Sequence, residues 1–366
     1  MGCAANTIRG THSTAARVPV SPTASRDSGR MMTGFELYLK RNAGKFDRYL
    51  ATFFVNGEHP DMRRYLYDLV ADFTANAGKR HRPLICLLAC EAVGGDPEKA
   101  RPSAAAIEHF HTAALIHDDI EDSSLTRRDK PCLHIREGAG LAINAGDLAL
   151  ALVCGTVVDD PGLDDSTKLR VLAELVAMTT RTIEGQALDI GWARDGRFDV
   201  TVDDYLTMAK HKTAFYSGGV PLAVGAIIGG GTEAQIAALR EFGMAAGLAF
   251  QIQDDVLNLV GTAESTKKDF RSDITEGKRT LVAIHALQHS PDRERLLDLL
   301  SGGVTDPVEL DEAVAIMHSS ASIEYAEEYA RVLILDAKNT LDRALPRTKA
   351  RDLLLSMADF FVKRSS

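Results

Sequence analysis

Two acidic clusters, Asp118-Asp119-Ile120-Glu121-Asp122 and Asp254-Asp255-Val256-Leu257-Asn258, lie inside long apolar segments, where carboxylates are costly to bury. Each needs a compensating cation. At roughly 100° per residue, Asp118, Asp122 and Asp119 stand at about 0°, 40° and 100° around a helix, so three carboxylates share one face. Asp254, Asn258 and Asp255 repeat that pattern, with Gln251 among them. Two such faces across a cavity would form a cage for several Mg²⁺ ions, because Mg²⁺ takes a few carboxylates and completes its shell with water and substrate phosphates. A diphosphate is the substrate that fits. Glu121 stands about 60° to one side and reads as a supporting or solvated residue.

Fixed cations accompany each cluster. Arg127 and Arg128 follow the first, and the planar arginine fork suits phosphate oxygens. Lys267, Lys268, Arg271 and Lys278 follow the second. Upstream, Ala77-Gly78-Lys79-Arg80-His81-Arg82-Pro83 places positive charge just before a helix that opens with proline, where the helix N-terminus itself favours anions. Lys212-Thr213 adds a further pair. Any one basic cluster alone reads as a solvated face. Together with two acid-rich helices, the four clusters read as anion pockets beside a metal cage.

The elements that must position these residues are helices. From Phe35 onward apolar residues recur at three and four, and alternating strand patterns are scarce. Thr201 with Asp204, Thr232 with Gln235, and Asp306-Pro307 with Glu309 resemble helix starts. Breaks fall at Gly94-Gly95-Asp96-Pro97, Asp160-Pro161-Gly162, Gly229-Gly230-Gly231 and Gly302-Gly303. No linker separates two cores, so residues 33–366 read as one all-α domain of about a dozen helices around a central cavity. Residues 1–32, rich in Ser, Thr, Ala and Arg, read as a disordered extension. A transit peptide is one account of it; an extended or misassigned start before Met31-Met32 is another.

A net charge of −9 argues against nucleic acid or an anionic membrane surface as partner. The five cysteines, Cys3, Cys86, Cys90, Cys132 and Cys154, lack metal spacing and suggest a reducing compartment. The cytoplasm is expected, with organellar import through residues 1–32 as the alternative. No apolar run approaches the roughly 20 residues of a membrane span, so none is expected.

The motifs, taken in order, resemble those of the trans-isoprenyl diphosphate synthases. Leu115-Ile-His-Asp-Asp-Ile-Glu-Asp-Ser-Ser-Leu-Thr-Arg-Arg-Asp-Lys-Pro131 is similar to their first aspartate-rich motif, and Phe250-Gln-Ile-Gln-Asp-Asp-Val-Leu-Asn258 to their second. Gly78-Lys-Arg-His-Arg-Pro83, His111, Gly185-Gln-Ala-Leu-Asp189, Lys212-Thr213 and Asp273-Ile-Thr-Glu-Gly-Lys278 match further landmarks from about residue 35 to the C-terminus. The resemblance implies that Asp118 and Asp122 bind two Mg²⁺ ions with Asp119 supporting, and that Asp254, with Asp255 beside it, holds a third. Arg127, Lys212, Thr213, Gln251, Lys268 and Lys278 would grip an allylic diphosphate. Gly78, Lys79, Arg82, His111 and Arg128 would hold isopentenyl diphosphate. The implied reaction is ionisation, condensation and elimination, in a homodimer.

Two departures stand out. Asn258 replaces a frequent third aspartate, and His81 replaces an apolar residue, with a solvent-facing histidine as its default reading. The tunnel floor in this family lies one to two turns before the first aspartates. Ala113 and Ala114 cannot block a growing chain there, which disfavours a C15 product. Phe110 is large enough to form a floor, or it packs between helices. A C20 product is expected, with C25 to C50 in reserve. The rivals are a class I terpene cyclase, whose second metal motif would put an acid where Thr266 stands, and a non-catalytic subunit. Cys86-Leu-Leu-Ala-Cys90 resembles a stretch used in subunit pairing, or is simply two small buried residues.

Overall fold

Helix boundaries follow capping chemistry. The computed structural model describes residues 32–55, 57–76, 78–261 and 270–363. The chain divides after Met32, and Thr33–Ser366 is one compact unit. In chain order the helices are α1 (Gly34–Leu50), α2 (Pro60–Met62), α3 (Asp68–Ala75), α4 (His81–Ala92), α5 (Arg101–Glu121), α6 (Leu133–Glu137), α7 (Ala139–Val158), α8 (Asp165–Arg194), α9 (Val202–Ala209), α10 (Val220–Ile228) and α11 (Glu233–Val260). They continue as α12 (Ser272–Thr275), α13 (Leu281–His289), α14 (Arg293–Ser301), α15 (Pro307–Ser319), α16 (Ser322–Ala344) and α17 (Lys349–Lys363). Thr201 and Thr232 close reciprocal capping boxes with Asp204 and Gln235, and Asp306 accepts from the Val308 amide. All four glycine or proline breaks fall between helices.

The only strands among the described residues are β1 (Thr126–Arg127) and β2 (Lys130–Pro131), an antiparallel pair just past α5. Their turn residues, Arg128 and Asp129, both have positive φ, 52° and 62°. That matches the backbone a two-residue hairpin requires, although neither residue is glycine.

The core is all-α. Helix α7 runs along α5, α4 packs on α10, and α11 lies between α16 and a ten-residue π-helical segment, Lys210–Gly219, that joins α9 to α10. A π-segment inserts extra residues into a helical turn and is frequent at functional sites. Here it re-aims Lys212, Thr213, Tyr216 and Ser217. Close approach sets two glycines: a Cβ on Gly185 would lie 2.1 Å from the Lys212 amide nitrogen, and one on Gly218 would lie 2.1 Å from the Gly243 carbonyl oxygen.

One expectation is corrected. Helix α7 has 20 residues, and its most apolar stretch has a mean hydropathy of 1.9, so by length and composition one helix could cross a membrane. Its run mixes Ala and Gly with Leu, Ile and Val, and Asn144 and Asp147 interrupt it in the sequence. Part of it is buried against α5, through Ala142, Ala145 and Ala149.

Candidate active site

A cavity of about 550 Å³ lies between α5, α8, the π-segment and α11, within the usual range for ligand pockets. Asp118 and Asp254 line it from opposite helices, together with Lys212, Thr213, Gln251, Arg82 and His111. Its apolar part includes Phe110, Ala114, Leu115, Leu150, Ile183 and Phe250. Ala113 is fully buried on the other side of α5, among the α7 alanines, and does not reach the cavity.

The three aspartates of the first cluster divide. Asp118 is half-buried and faces the cavity. Asp122 caps the C-terminus of α5 in solvent, where the surrounding protein and then Asp118 push its carboxyl up to about 6. Asp119 is buried, and Arg127 Nε donates to its Oδ1 at 2.8 Å while Arg127 Nη2 reaches Asp118 Oδ2 at 3.3 Å. The β1–β2 turn makes this possible by folding Arg127 back onto α5. Both acidic clusters sit near helix C-termini, whose partial negative charge adds to the carboxylates' own and strengthens the demand for cations.

Gln186 was not singled out by sequence. Its amide Nε2 donates to Glu121 Oε2 at 2.7 Å and to Asp118 Oδ1 at 3.3 Å, so Glu121 is tied into the cluster across α8. One turn on, Asp189 pairs with Lys212. Burial opposes the charge on Lys212, and Asp189 and Asp118 outweigh it, raising its pKa. The sequence signal was the Gly185-to-Asp189 stretch itself.

In the second cluster Asp254 and Asp255 have different surroundings. Asp255 is buried, with Tyr205 donating its hydroxyl to Oδ2 and Gln251 its Nε2 to Oδ1, both at 2.7 Å. Thr213 in turn donates to Gln251 Oε1 at 2.6 Å. Asp255 and Asp273 border a second small polar cavity with Asp189, Lys212 and Lys278, and burial raises both carboxyls. Lys278 pairs with Glu276 at 2.9 Å and Asp273 at 3.6 Å; these acids overcome the effect of burial and raise it. Asn258 ties α11 to α12, since its Nδ2 donates to Ser272 Oγ at 3.2 Å and its Oδ1 accepts from the Asp273 amide at 3.3 Å. Lys268 lies outside the described residues.

The remaining basic residues meet at the mouth of α4. Arg82 is buried and its guanidinium donates to Tyr216 Oη at 2.9 Å, to Ser217 Oγ at 2.8 Å, and to His111 Nε2 at 3.2 Å. Arginine only donates, so the neutral His111 carries its proton on Nδ1. That Nδ1 is buried with no protein partner among the described residues. Burial and Arg82 hold the imidazole far below its usual pKa, so it stays neutral. Arg128 donates to the Asn76 carbonyl, and the Gly78 Cα faces its Nη1 closely enough that a Cβ would sit 3.5 Å away. Burial and then Arg80 depress the Arg128 pKa, and Glu108 only partly offsets them. Lys79 is exposed beside them. Arg80, which the sequence reading counted among the positive charges of this anion pocket, is instead buried at φ 51° and bonded to Asp47 at 2.6 Å and Glu108 at 2.5 Å. It anchors the loop.

His81 is corrected from its solvent-facing default. It is half-buried, lines the cavity, and packs on Phe250 and Phe361 with ring centroids 5.6 and 5.7 Å away. Helix α17 brings Phe361 there.

Comparison with known proteins agrees with this geometry. The profile of the polyprenyl synthetase family matches residues 63–317. A short chain isoprenyl diphosphate synthase from Methanothermobacter thermautotrophicus is 42% identical over 289 residues, 78% of this chain and 86% of that protein. The crystal structure of geranylgeranyl pyrophosphate synthetase from Pyrococcus horikoshii Ot3 superposes with a TM-score of 0.83 at 35% identity, covering 90% of this chain and 98% of that one. Geranylgeranyl pyrophosphate synthase from Corynebacterium glutamicum, solved with isoprenyl diphosphate and magnesium, gives 0.79 at 28% identity, covering 92% and 100%. Sequence profile, relatives and three-dimensional likeness agree, and the chain belongs to the polyprenyl synthetase family as a prenyltransferase.

Proposed function

We propose that this chain condenses isopentenyl diphosphate with an allylic diphosphate to give linear all-trans geranylgeranyl diphosphate. The carrying observation is one cavity whose polar end holds Asp118, Asp254, Lys212 and Arg82 and whose apolar part begins with Ala114, one turn below Asp118, and reaches Phe110. Relatives named for short-chain and geranylgeranyl products support the chain length.

The donor set fits Mg²⁺. Among the described residues no three acidic, His or Cys side chains close into a ready-made metal site. Such an open arrangement suits Mg²⁺, which is held by one or two carboxylates together with water and substrate phosphates. Asp118 and Asp122 would hold two ions and Asp254 a third, with Asp255 committed to Tyr205 and Gln251. Bound Mg²⁺ supplies charge neutralisation for the departing diphosphate.

The chain's own groups divide the substrates. Lys212, oriented by Asp189, and Arg127, oriented by Asp118 and Asp119, would face the allylic diphosphate. Arg82, Arg128, Lys79 and the Nδ1–H of His111 would bind isopentenyl diphosphate. Neighbouring arginines on one tight hairpin thus serve different pockets. The allylic C–O bond breaks, the isopentenyl double bond attacks the cation, and the proton lost passes to the released pyrophosphate. Fixed charges stabilise the leaving group; no side chain acts as nucleophile.

The test is incubation with Mg²⁺, isopentenyl diphosphate and C5, C10 or C15 allylic diphosphates, with products read by mass spectrometry. Linear C20 product is expected; cyclic hydrocarbons, or no turnover without a second protein, would overturn the reading. Phe110→Ala should lengthen the product by one or more five-carbon units, since Phe110 lines the cavity and packs on Tyr216 at 5.6 Å. An unchanged product removes Phe110 as the floor.

A further inference from the structure

Tyr205 is fully buried on α9, and no step of the proposed reaction uses it. Its hydroxyl donates to Asp255 Oδ2 at 2.7 Å, Gln251 Nε2 donates to Asp255 Oδ1 at 2.7 Å, and Thr213 Oγ1 donates to Gln251 Oε1 at 2.6 Å. Four side chains thus form one relay from the interior to the wall of the main cavity. Of the two cavities, Tyr205 and Asp255 border only the small polar one of about 70 Å³, Gln251 borders both, and Thr213 borders only the main one. The donors fix the polarity of the relay. With its nitrogen on Asp255, Gln251 turns its oxygen to Thr213, and an amide oxygen only accepts, so Thr213 must donate. The backbone supports the alignment. Helix α9 runs without a break into the π-segment, which packs on α11, so Tyr205 and Thr213 stand on one rod while Gln251 and Asp255 lie one turn apart on its neighbour. Over these eight residues (213 − 205) an ordinary α-helix would carry Thr213 about 80° around from Tyr205. The π-segment takes more residues per turn and swings Thr213 back toward the face that Tyr205 presents to α11.

We propose that Tyr205 is a positioning residue for the allylic diphosphate: its hydroxyl holds Asp255, Asp255 holds the Gln251 amide, and the amide holds the Thr213 hydroxyl beside Lys212, so the pocket is set before the diphosphate arrives. The inference rests on the proposed use of this end of the cavity for that substrate. Groups already locked by their own hydrogen bonds lose little freedom on binding, which is where the affinity comes from. Lys212 is held separately, by Asp189. On the isopentenyl diphosphate side, Arg82 is bonded to His111, Tyr216 and Ser217, and Arg128 to the Asn76 carbonyl. None of these bonds reaches the relay. Loss of the Tyr205 hydroxyl therefore weakens the hold on one substrate and spares the other.

Tyr205→Phe tests this in the full chain with Mg²⁺, because it removes one oxygen and keeps the ring. The KM for the allylic diphosphate should rise on the order of tenfold, the effect of one lost hydrogen bond, while the KM for isopentenyl diphosphate stays at the wild-type value. A purely structural hydroxyl would instead lower the melting temperature and kcat with the two KM values unchanged or raised together, and that result overturns the proposal. The relay also predicts coupling. Thr213→Val breaks its far end, so adding Tyr205→Phe to that variant should raise the allylic KM no further; effects that multiply overturn it. If Tyr205→Phe does not fold, Asp255→Asn, which keeps the shape of the carboxylate, enters the same cycle with Thr213→Val, and the same two outcomes decide. A wild type that consumes no allylic diphosphate means that the proposed function has failed rather than the relay. The cycle is then read as the Kd for inorganic pyrophosphate with Mg²⁺ by calorimetry, where non-additive losses support the relay and additive ones overturn it.

Discussion

Adjacent residues of the same type do different work here because a helix turns about 100° between them. Asp118 faces the cavity, whereas Asp119 is buried against Arg127. Asp118→Ala should therefore abolish turnover while leaving the helical circular dichroism and melting temperature near wild type; retained activity would sink the metal assignment. Asp119→Ala should behave differently. It removes one member of a largely buried ion pair and leaves Arg127 leaning on Asp118 alone, which costs about 3 kcal/mol. Denaturant titration checks this, with a midpoint lowered at unchanged slope. Equal stability of the two variants would show that Asp119 is not the structural member. The same division separates Asp254 in the main cavity from Asp255, bonded to Tyr205. Sequence periodicity put all three first-cluster carboxylates on one face. The side chain that departs does so because the hairpin just past α5 folds an arginine back onto it.

At the scale of elements, the π-segment and α8 are held at backbone contact distance by Gly185. Gly185→Ala places a methyl group 2.1 Å from the Lys212 amide nitrogen, and backbone cannot step aside as a side chain would. Overpacking of this kind costs about 2 kcal/mol. It should also displace Lys212 from Asp189, so the prediction is a lowered melting temperature together with reduced turnover; wild-type kinetics would show that Lys212 does not depend on this contact. Much at this scale was legible. Apolar periodicity and the capping pairs at Thr201 and Thr232 marked helices that the structure has, and the order of acidic and basic motifs marked which helices must face each other. The π-segment was not legible, because nothing in Lys210–Gly219, which mixes Lys, His and aromatic residues with Gly218-Gly219, distinguishes an extra residue per turn from an ordinary α-helix. Nor was the β1–β2 turn, since Arg128 and Asp129 adopt positive φ without a glycine to announce it. His81 was misplaced because its partner Phe361 lies 280 positions away in sequence (361 − 81).

For the whole molecule, buried ionisable groups tie stability to pH. His109 lies in the interior of α5, edge-on to Phe53 and Phe54 at 4.9 and 5.6 Å, with neither ring nitrogen bonded among the described residues. Burial pushes its pKa down to about 3 from an ordinary 6.5. The folded protein therefore keeps this imidazole neutral, whereas the unfolded chain takes up a proton once the pH drops below 6.5. Between those values the unfolded state binds more protons, so stability is complete above 6.5 and falls with decreasing pH, by about 1.4 kcal/mol per unit for one proton. Asp255 and Asp273 act in the opposite sense: their raised pKa values let the folded state hold protons that the unfolded chain gives up, so their contribution falls as pH rises. The two trends overlap, and a wild-type profile alone does not separate them. Comparison with His109→Leu does. The variant should lose the acid-side slope while keeping the alkaline one, so the difference in unfolding free energy between variant and wild type should grow in the variant's favour from pH 6.5 to pH 4. A difference that is flat across that window would show that His109 is protonated in the folded protein or already neutral in the unfolded one.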